Sequence, residues 1–300
     1  MTKVVRVGDV LIGGGNKIAV QSMTNTVTKN ADATSAQINA LTDAGCDIVR
    51  VAVADAADAE ALGDIKKRIK VPLVADIHFD YRLAVAAVRN GADKIRINPG
   101  NIGSDEGLKK IISAAKERGV AIRIGVNGGS LGKDILARFG NTAAALAESA
   151  LEYVRRFEDM GFDNIVLSVK SSDVRKTVDA CRILAKECDY PQHIGVTESG
   201  SGESARVKSA IGIGALLLDG IGDTIRVSLT DNPVEEVLFA KEILRAVGKD
   251  KNYCEVISCP SCGRCGINLI AVAQEIKEYV KDIKKPMKIA VMGCAVNGPG

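Results

Sequence analysis

Three hundred residues with 46% apolar side chains can bury a substantial core, and that length stands at the upper edge of what one core holds, so one large domain plus a small one is expected. A formal net charge of only +3, with no long run of Lys or Arg, excludes a nucleic-acid stripe or a membrane-surface patch and leaves small anions as the ligands to consider. The opening MTKVVRVGDVLIGGG has no apolar signal region and no stretch is apolar enough to span a bilayer, so a cytoplasmic location is the default expectation.

From the start to about residue 249 one alternation repeats: a short β-branched apolar run, a polar or glycine break, then a longer Ala-rich stretch with helical periodicity. The strand candidates are IAVQSM (18–23), DIVRVAV (47–53), PLVADI (72–77), KIRIN (94–98), AIRIGV (121–126), NIVLSVK (164–170), QHIGVT (192–197) and TIRVSL (224–229). Helices are expected after each, at 33–44, 56–69, 80–90, 105–118, 141–160, 171–187, 203–219 and 233–247. Gly45, Gly91, Gly119 and Gly161 stand where helices should stop in a left-handed residue. Eight such units match a (β/α)8 TIM barrel in count and size, whereas a doubly wound open sheet seldom runs to eight regular units and no GxGxxG follows the first strand. Beyond Asp250 the texture changes to a cysteine cluster, a helix candidate (266–282) and a strand candidate KIAVM (288–292), the front half of a small α/β module. So small a module needs a metal or a larger docking partner to hold it.

A barrel of this kind does its chemistry at the C-terminal ends of its strands. Reading those ends gives Gln21, Ser22, Arg50, Asp76, His78, Arg96, Asn98, Arg123, Asn127, Lys170, His193, Glu198, Arg226 and Ser228. Any one of these reads most simply as an ion pair or a solvated strand end. Four arginines and a lysine together repel one another unless an anion sits between them, and Arg binds phosphate in a bidentate way. A phosphate or diphosphate pocket at the barrel mouth is therefore the preferred reading, with the Gly-rich loops NPGNIG (98–103) and VNGGSLG (126–132) adding backbone N–H groups. Glu198 is the best carboxylate for acid–base work; its plainer role, like that of Asp76, is counter-ion to the positive charge.

Five of the eight cysteines lie beyond residue 250, which favours metal over disulfide; Cys46, Cys181 and Cys188 fall where helix is expected and read as packing residues. Cys259 and Cys262 form a CxxC, and Cys294 follows the last strand candidate. Three thiolates in this pattern suit zinc or an iron–sulfur cluster, and spacing leaves both open. Including Cys254 imitates a plant-type ferredoxin spacing, but a ferredoxin has no barrel in front of it.

CPSCGR (259–264) and GCAVNGPG (293–300), with VQSMTNT, ADIHF, IRINPGNIG, IRIGVNGGSLG, VLSVKSSD, GVTESG and IRVSL, resemble the 4-hydroxy-3-methylbut-2-enyl diphosphate synthases over residues 3–300. These are iron–sulfur enzymes of the methylerythritol phosphate route to isoprenoids. The resemblance implies a TIM barrel over 1–249 that binds 2-C-methyl-D-erythritol 2,4-cyclodiphosphate, and a domain over 250–300 whose Cys259, Cys262 and Cys294 hold a [4Fe–4S] cluster. It implies a reductive ring opening and dehydration, with ferredoxin or flavodoxin as electron donor and a homodimer in which one subunit's cluster covers the other's barrel. Arg50, Arg96, Arg123, Lys170, Arg226 and Ser228 are then expected to hold the diphosphate, with His193 among the substrate-binding residues, Asn127 at the rim and Glu198 as proton donor. The family's fourth cluster ligand is a glutamate directly after NGPG, so the sequence reads as a fragment that stops short of it, with Cys265 the one nearby thiol able to substitute. Two competing readings are a pterin-binding transferase barrel, which also gathers cations for a pyrophosphate but has no place for the cysteine motifs, and a zinc-stapled, non-catalytic binding module.

Overall fold

The structure, a computed structural model, describes residues 1–102 and 104–298, and for Ser130 the backbone only. Its first element is one that sequence periodicity passes over. Val5–Val7 (β1) and Val10–Ile12 (β2) pair antiparallel across a two-residue turn in which Gly8 takes φ +55°. Strands of three residues are too short to show an alternation. Val5, Val7 and Ile12 nonetheless form one buried cluster with Ala19, Ile48, Val74, Ala121 and Val166, the first or second residues of five later strands, so the hairpin plugs the N-terminal end of the sheet.

Ala19–Met23 (β3), Ala31–Asp43 (α1), Ile48–Ala52 (β4), Ala56–Arg68 (α2), Leu73–Ile77 (β5), Tyr81–Arg89 (α3), Lys94–Ile97 (β6), Asp105–Arg118 (α4) and Ala121–Asn127 (β7) follow in strict alternation. Lys133–Phe139 (α5), a short helix absent from the sequence reading, precedes Ala143–Asp159 (α6). Ile165–Lys170 (β8), Val174–Glu187 (α7), His193–Ile194 (β9), Gly202–Leu218 (α8), Thr224–Ile225 (β10) and Pro233–Ala246 (α9) complete the repeat. The strands run in the order β8-β7-β6-β5-β4-β3-β10-β9, every neighbouring pair parallel. A parallel bridge between Leu167 and Gln192 joins the two ends of that order, and the sheet closes into the expected barrel.

Local chemistry sets the helix starts. Asn30, Asp55, Ser104, Thr142 and Asp173 each accept a hydrogen bond from the backbone N–H three residues on, and such a cap contributes about 1 kcal/mol. Gly45, Gly91, Gly119 and Gly161 stand at φ +101°, +94°, +65° and +67°, the left-handed stops expected of them. Two strands are shorter than expected: β9 and β10 pair over two residues each, in place of six. Gly195, at φ +157°, turns the backbone out of the ladder directly after Ile194. Cys46 lies in the loop between α1 and β4 instead of in a helix, buried, with its thiol against the Val20 and Ile48 carbonyls.

The chain divides into two compact units, Met1–Ile243 and Leu244–Gly300. Within the second, Cys254–Ser258 (β11), Leu269–Val280 (α10) and Met287–Val291 (β12) form a β-α-β unit with the two strands parallel in the register Ser258↔Val291. β11 is hidden in the sequence by the cysteines around it, and α10 begins at Asn268, its cap, later than periodicity suggests. No helix among the described residues is long and apolar enough to cross a membrane.

A Cβ at Gly195 would run into the Arg226 carbonyl oxygen and approach Lys170 Nζ to 2.8 Å. Gly195→Ala should therefore destabilise the protein by about 1–3 kcal/mol in urea denaturation. An unchanged midpoint would show that the β9–β10 contact has slack.

Candidate functional site

Side chains in a strand alternate between faces, so residues two apart in the barrel share the interior. Below, that interior is the apolar floor of the hairpin cluster. Above the floor it turns cationic: Arg50 on β4, Lys94 and Arg96 on β6, Arg123 on β7, Lys170 on β8 and Arg226 just past β10. Asp76 on β5 and Glu236 on α9 are the carboxylates buried among them.

Asp76 is the hub. Arg96 Nη1 donates to its Oδ1 at 3.1 Å, while Arg50 Nε stands 3.7 Å and His78 Nε2 3.5 Å from its Oδ2. Burial alone would raise its pKa, but Arg50, His78, Arg96 and Arg123 outweigh that and hold the carboxyl well below the usual range. Glu236 is already claimed by Ser22 Oγ at 3.1 Å, the Leu229 N–H at 2.9 Å and Arg226 Nε at 3.6 Å. Arg50 donates instead to the Met23 sulfur, from Nε at 3.1 Å and Nη2 at 2.9 Å. A thioether is a weak acceptor that an anionic oxygen readily displaces.

Arg123 is only 2% exposed, and its Nε and Nη1 have no partner. Burial, then Arg50 and Arg96, lower its pKa; burial likewise brings Arg50 down to about 10. Lys170 is pushed down by burial, then by Arg123, Arg226 and Arg50. Its Nζ lies 3.2 Å from His193 Nε2, and His193 Nδ1 lies 2.7 Å from Thr224 Oγ1. Burial and the cations, Lys170 first, keep His193 neutral at physiological pH. Six cationic side chains thus face two carboxylates in a space closed below, an arrangement that selects a compact, multiply charged anion.

Glycine makes the room. A Cβ at Gly125 would lie 2.6 Å from Arg96 Nε, so a residue without one lets that side chain lie against the neighbouring strand β7.

The expected residues divide into groups. Arg50, Arg96, Arg123, Lys170 and Arg226 come close enough to act on one another's charge, Lys170 as the last residue of β8 and Arg226 just past β10. His193 begins β9 instead of ending a strand, and both its ring nitrogens are engaged. Asn127 ends β7, and Ser228 is half-buried, its carbonyl accepting from Ser199 Oγ at 2.6 Å. Glu198 is exposed and sits at φ +53°, the one non-glycine residue with positive φ among the described residues. It is pinned between the Thr197 N–H to Ser171 O bond and the Ser199 hydroxyl bond to Ser228. A carboxylate residue held in that conformation carries strain of the kind functional sites retain. In the loop after β6 the Asn98 side chain takes up the Gly100 N–H, and Gly103 of the expected NPGNIG loop lies outside the described residues. Lys94, Met23 and Glu236 are absent from the sequence-derived set. Lys94 shares a strand face with Arg96, a signal that attention to strand ends alone suppresses.

In the second unit, parallel pairing sends the chain out of β11 and β12 at the same end, which is where CPSCGRC and GCAVNG emerge. Asn297 Nδ2 donates to Cys259 Sγ at 3.1 Å and the Gly266 N–H to Gly293 O at 2.9 Å, tying the two loops together. The Cys294 thiol is lowered by the Asn297 and Val296 backbone N–H groups, which favours its thiolate. All eight cysteines are free thiols. Among the described residues no three His, Cys, Asp or Glu side chains stand close enough to grip a single metal ion. Pro299 and Gly300 lie outside the described residues.

Two family models match: the GcpE TIM-barrel domain over residues 2–241 and the GcpE protein C-terminal domain over 255–300. A protein of Anoxybacillus flavithermus named 4-hydroxy-3-methylbut-2-en-1-yl diphosphate synthase (flavodoxin) is 57% identical over 300 residues, all of this chain and 82% of the relative. Proteins of the same name from Caldanaerobacter subterraneus and Bacillus subtilis are 56% and 53% identical, again over all of this chain and over 85% and 80% of theirs. Among solved structures, Yersinia pestis dihydropteroate synthase superposes with a TM-score of 0.59 over 83% of this chain and 98% of its own, at 12% identity, a likeness of fold alone.

Asp76→Asn removes the hub and leaves Arg50 and Arg96 buried without a counter-charge. The free protein should lose about 3–5 kcal/mol of stability. Because the depressed carboxyl stays ionised at every pH above the ordinary carboxylate range, this loss should be the same across neutral pH and shrink only in acid. Urea denaturation at several pH values measures it, and a loss under about 1 kcal/mol would show that the cations need no hub.

Proposed function

The chain belongs to the GcpE family, and from that premise we propose that it catalyses the reductive ring opening and dehydration of 2-C-methyl-D-erythritol 2,4-cyclodiphosphate to 4-hydroxy-3-methylbut-2-enyl diphosphate, in isoprenoid precursor biosynthesis. The observation that carries this reading is the unmatched positive charge inside the barrel, above all the partnerless Nε and Nη1 of Arg123. A cyclic diphosphate brings two negative charges and a rim of acceptor oxygens, which is what these donors lack.

In this reading Arg50, Arg96, Arg123, Lys170 and Arg226 bind the two phosphates, with Ser228 and Asn127 nearer the rim. The anion takes over the Arg50 donors now resting on Met23. His193, with both nitrogens engaged, supports Lys170 and does not itself touch the ligand. Two bonded phosphates fix the ring's position and orientation, so that a single C–O bond is presented for cleavage. Counted on the fully protonated acids, two electrons and two protons enter, the ring C–O bond and the neighbouring C–OH bond break, a C=C bond forms and one water leaves. Glu198 supplies the proton with which the hydroxyl departs.

Cys259, Cys262 and Cys294 would hold the iron–sulfur cluster. The donor chemistry fits: soft thiolates, one of them stabilised by backbone N–H groups, on two joined loops at one end of a sheet. A [4Fe–4S] cluster, when bound, supplies single electrons at a potential no side chain reaches. The name shared by the relatives favours flavodoxin as the donor, and we place the reaction in the cytoplasm of a homodimeric enzyme.

Glu198→Gln should abolish turnover while the cyclic diphosphate still raises the melting temperature as in the wild type; normal turnover would remove Glu198 from the chemistry. Arg123→Met should raise the dissociation constant for the cyclic diphosphate by about tenfold or more, read by calorimetry. Equal affinity would count against the anion site. Anaerobic reconstitution should give a brown protein, and Cys262→Ser a colourless one with unchanged far-ultraviolet circular dichroism; a colourless wild type holding one zinc would favour the structural-metal reading.

A further inference from the structure

Lys94 is the deepest charge in the barrel. It opens β6, where its register partners are Val74 on β5 and Ala121 on β7, two members of the apolar floor cluster. Its place in that layer is one where the other strands put Ala, Ile or Val. The side chain is 0% exposed and its Nζ has no hydrogen-bond partner. A lysine with only a structural task finds a carboxylate or a carbonyl, because an unpartnered buried ammonium is among the costliest groups a fold can carry. The two carboxylates buried inside the barrel are engaged elsewhere: Asp76 by Arg96, Arg50 and His78, and Glu236 by Arg226, Ser22 and the Leu229 N–H.

The hairpin cluster lies beneath this residue, and the next layer up carries Arg96 on its own strand and Arg123 on β7. Arg123 and Arg50 both act on the Lys94 charge, and the Lys94 charge in turn acts on His193. On its own strand Lys94 stands two residues before Arg96, on the same face.

We infer that Lys94 is the floor of the anion site: its amino group is held without a protein partner so that, once protonated, it faces the bound diphosphate from below, completing from the closed end the ring of cations that the other strands supply from the sides. This rests on the diphosphate reading above. It makes Lys94 a binding residue that weakens the free fold. Burial, then Arg123 and Arg50, make the charged form of Lys94 unfavourable until an anion arrives, which accords with that division between the free and the bound protein.

Lys94→Met keeps the length and removes the charge, and it tests the inference on the full chain. The free variant should melt several degrees above the wild type, while its dissociation constant for 2-C-methyl-D-erythritol 2,4-cyclodiphosphate, by calorimetry, rises about tenfold or more. A purely structural lysine would move stability and affinity downward together. Wild-type affinity in the variant overturns the inference, as does a lower melting temperature. If the wild type itself fails to bind the cyclic diphosphate, the parent reading falls first. Lys94→Gln, which keeps donors but no charge, is the second variant and should weaken binding in the same direction; failure of both variants to fold would show that the fold needs the charge, and would also overturn the inference.

Discussion

Positive charge that has been taken out of water and only partly compensated is the constraint around which the barrel is organised. Desolvating several guanidinium and ammonium groups together is unfavourable twice over, through lost hydration and through mutual repulsion. Asp76 offsets part of this by serving Arg50, Arg96 and His78 at once, and Glu236, reaching in from α9, offsets another part at Arg226. What remains unmatched, at Arg123, Lys94 and Lys170, is specificity stored as instability. The rest of the fold has to hold those groups in place against their repulsion. The apolar plug of β1 and β2, the eight-stranded closure and the capped helices supply that rigidity.

The glycines belong to the same argument. A long cation can lie over the neighbouring strand only where that strand carries no side chain, and Gly125 on β7 leaves space for Arg96 of β6 while Gly195, just past β9, leaves space for Lys170 of β8. Gly195 also ends the β9–β10 ladder, so one residue both shortens the pairing and opens the cavity. A barrel interior packed with branched side chains would be a more stable cylinder with nowhere to put an anion.

Much of this was legible from spacing alone. The alternation of strands and helices carries the (β/α)8 repeat, and arginines set inside apolar strands, as in DIVRVAV and AIRIGV, point to a cationic interior. Three things were not legible, each for a physical reason. The hairpin at residues 5–12 has strands too short to show a period, and its role appears only when five distant strand starts gather around it. Glu236 lies on a helix, where sequence gives no hint that it reaches the barrel interior. Lys94 stands at the N-terminal end of its strand, away from the C-terminal ends where a barrel's chemistry is expected. His193 departs in the opposite sense: expected at a strand end, it opens β9, with its Nε2 3.2 Å from Lys170 Nζ.

The same rule of parallel sheets operates twice along this chain, with opposite chemistry. Parallel strands deliver all their C-terminal ends to one side, so residues far apart in sequence meet there without any long-range pairing of side chains. In the barrel that convergence gathers hard, positively charged donors suited to phosphate oxygens. In β11 and β12 it gathers soft thiols, joined by the Asn297 bond to Cys259 and backed by the backbone N–H groups at Cys294. Neither set stabilises its own unit: buried cations repel, and unbridged, partly exposed thiols add little core. Each suits a guest that the proposed reaction calls for, an anion in one case and a soft-metal centre in the other, because feeding single electrons into a charged ring requires both.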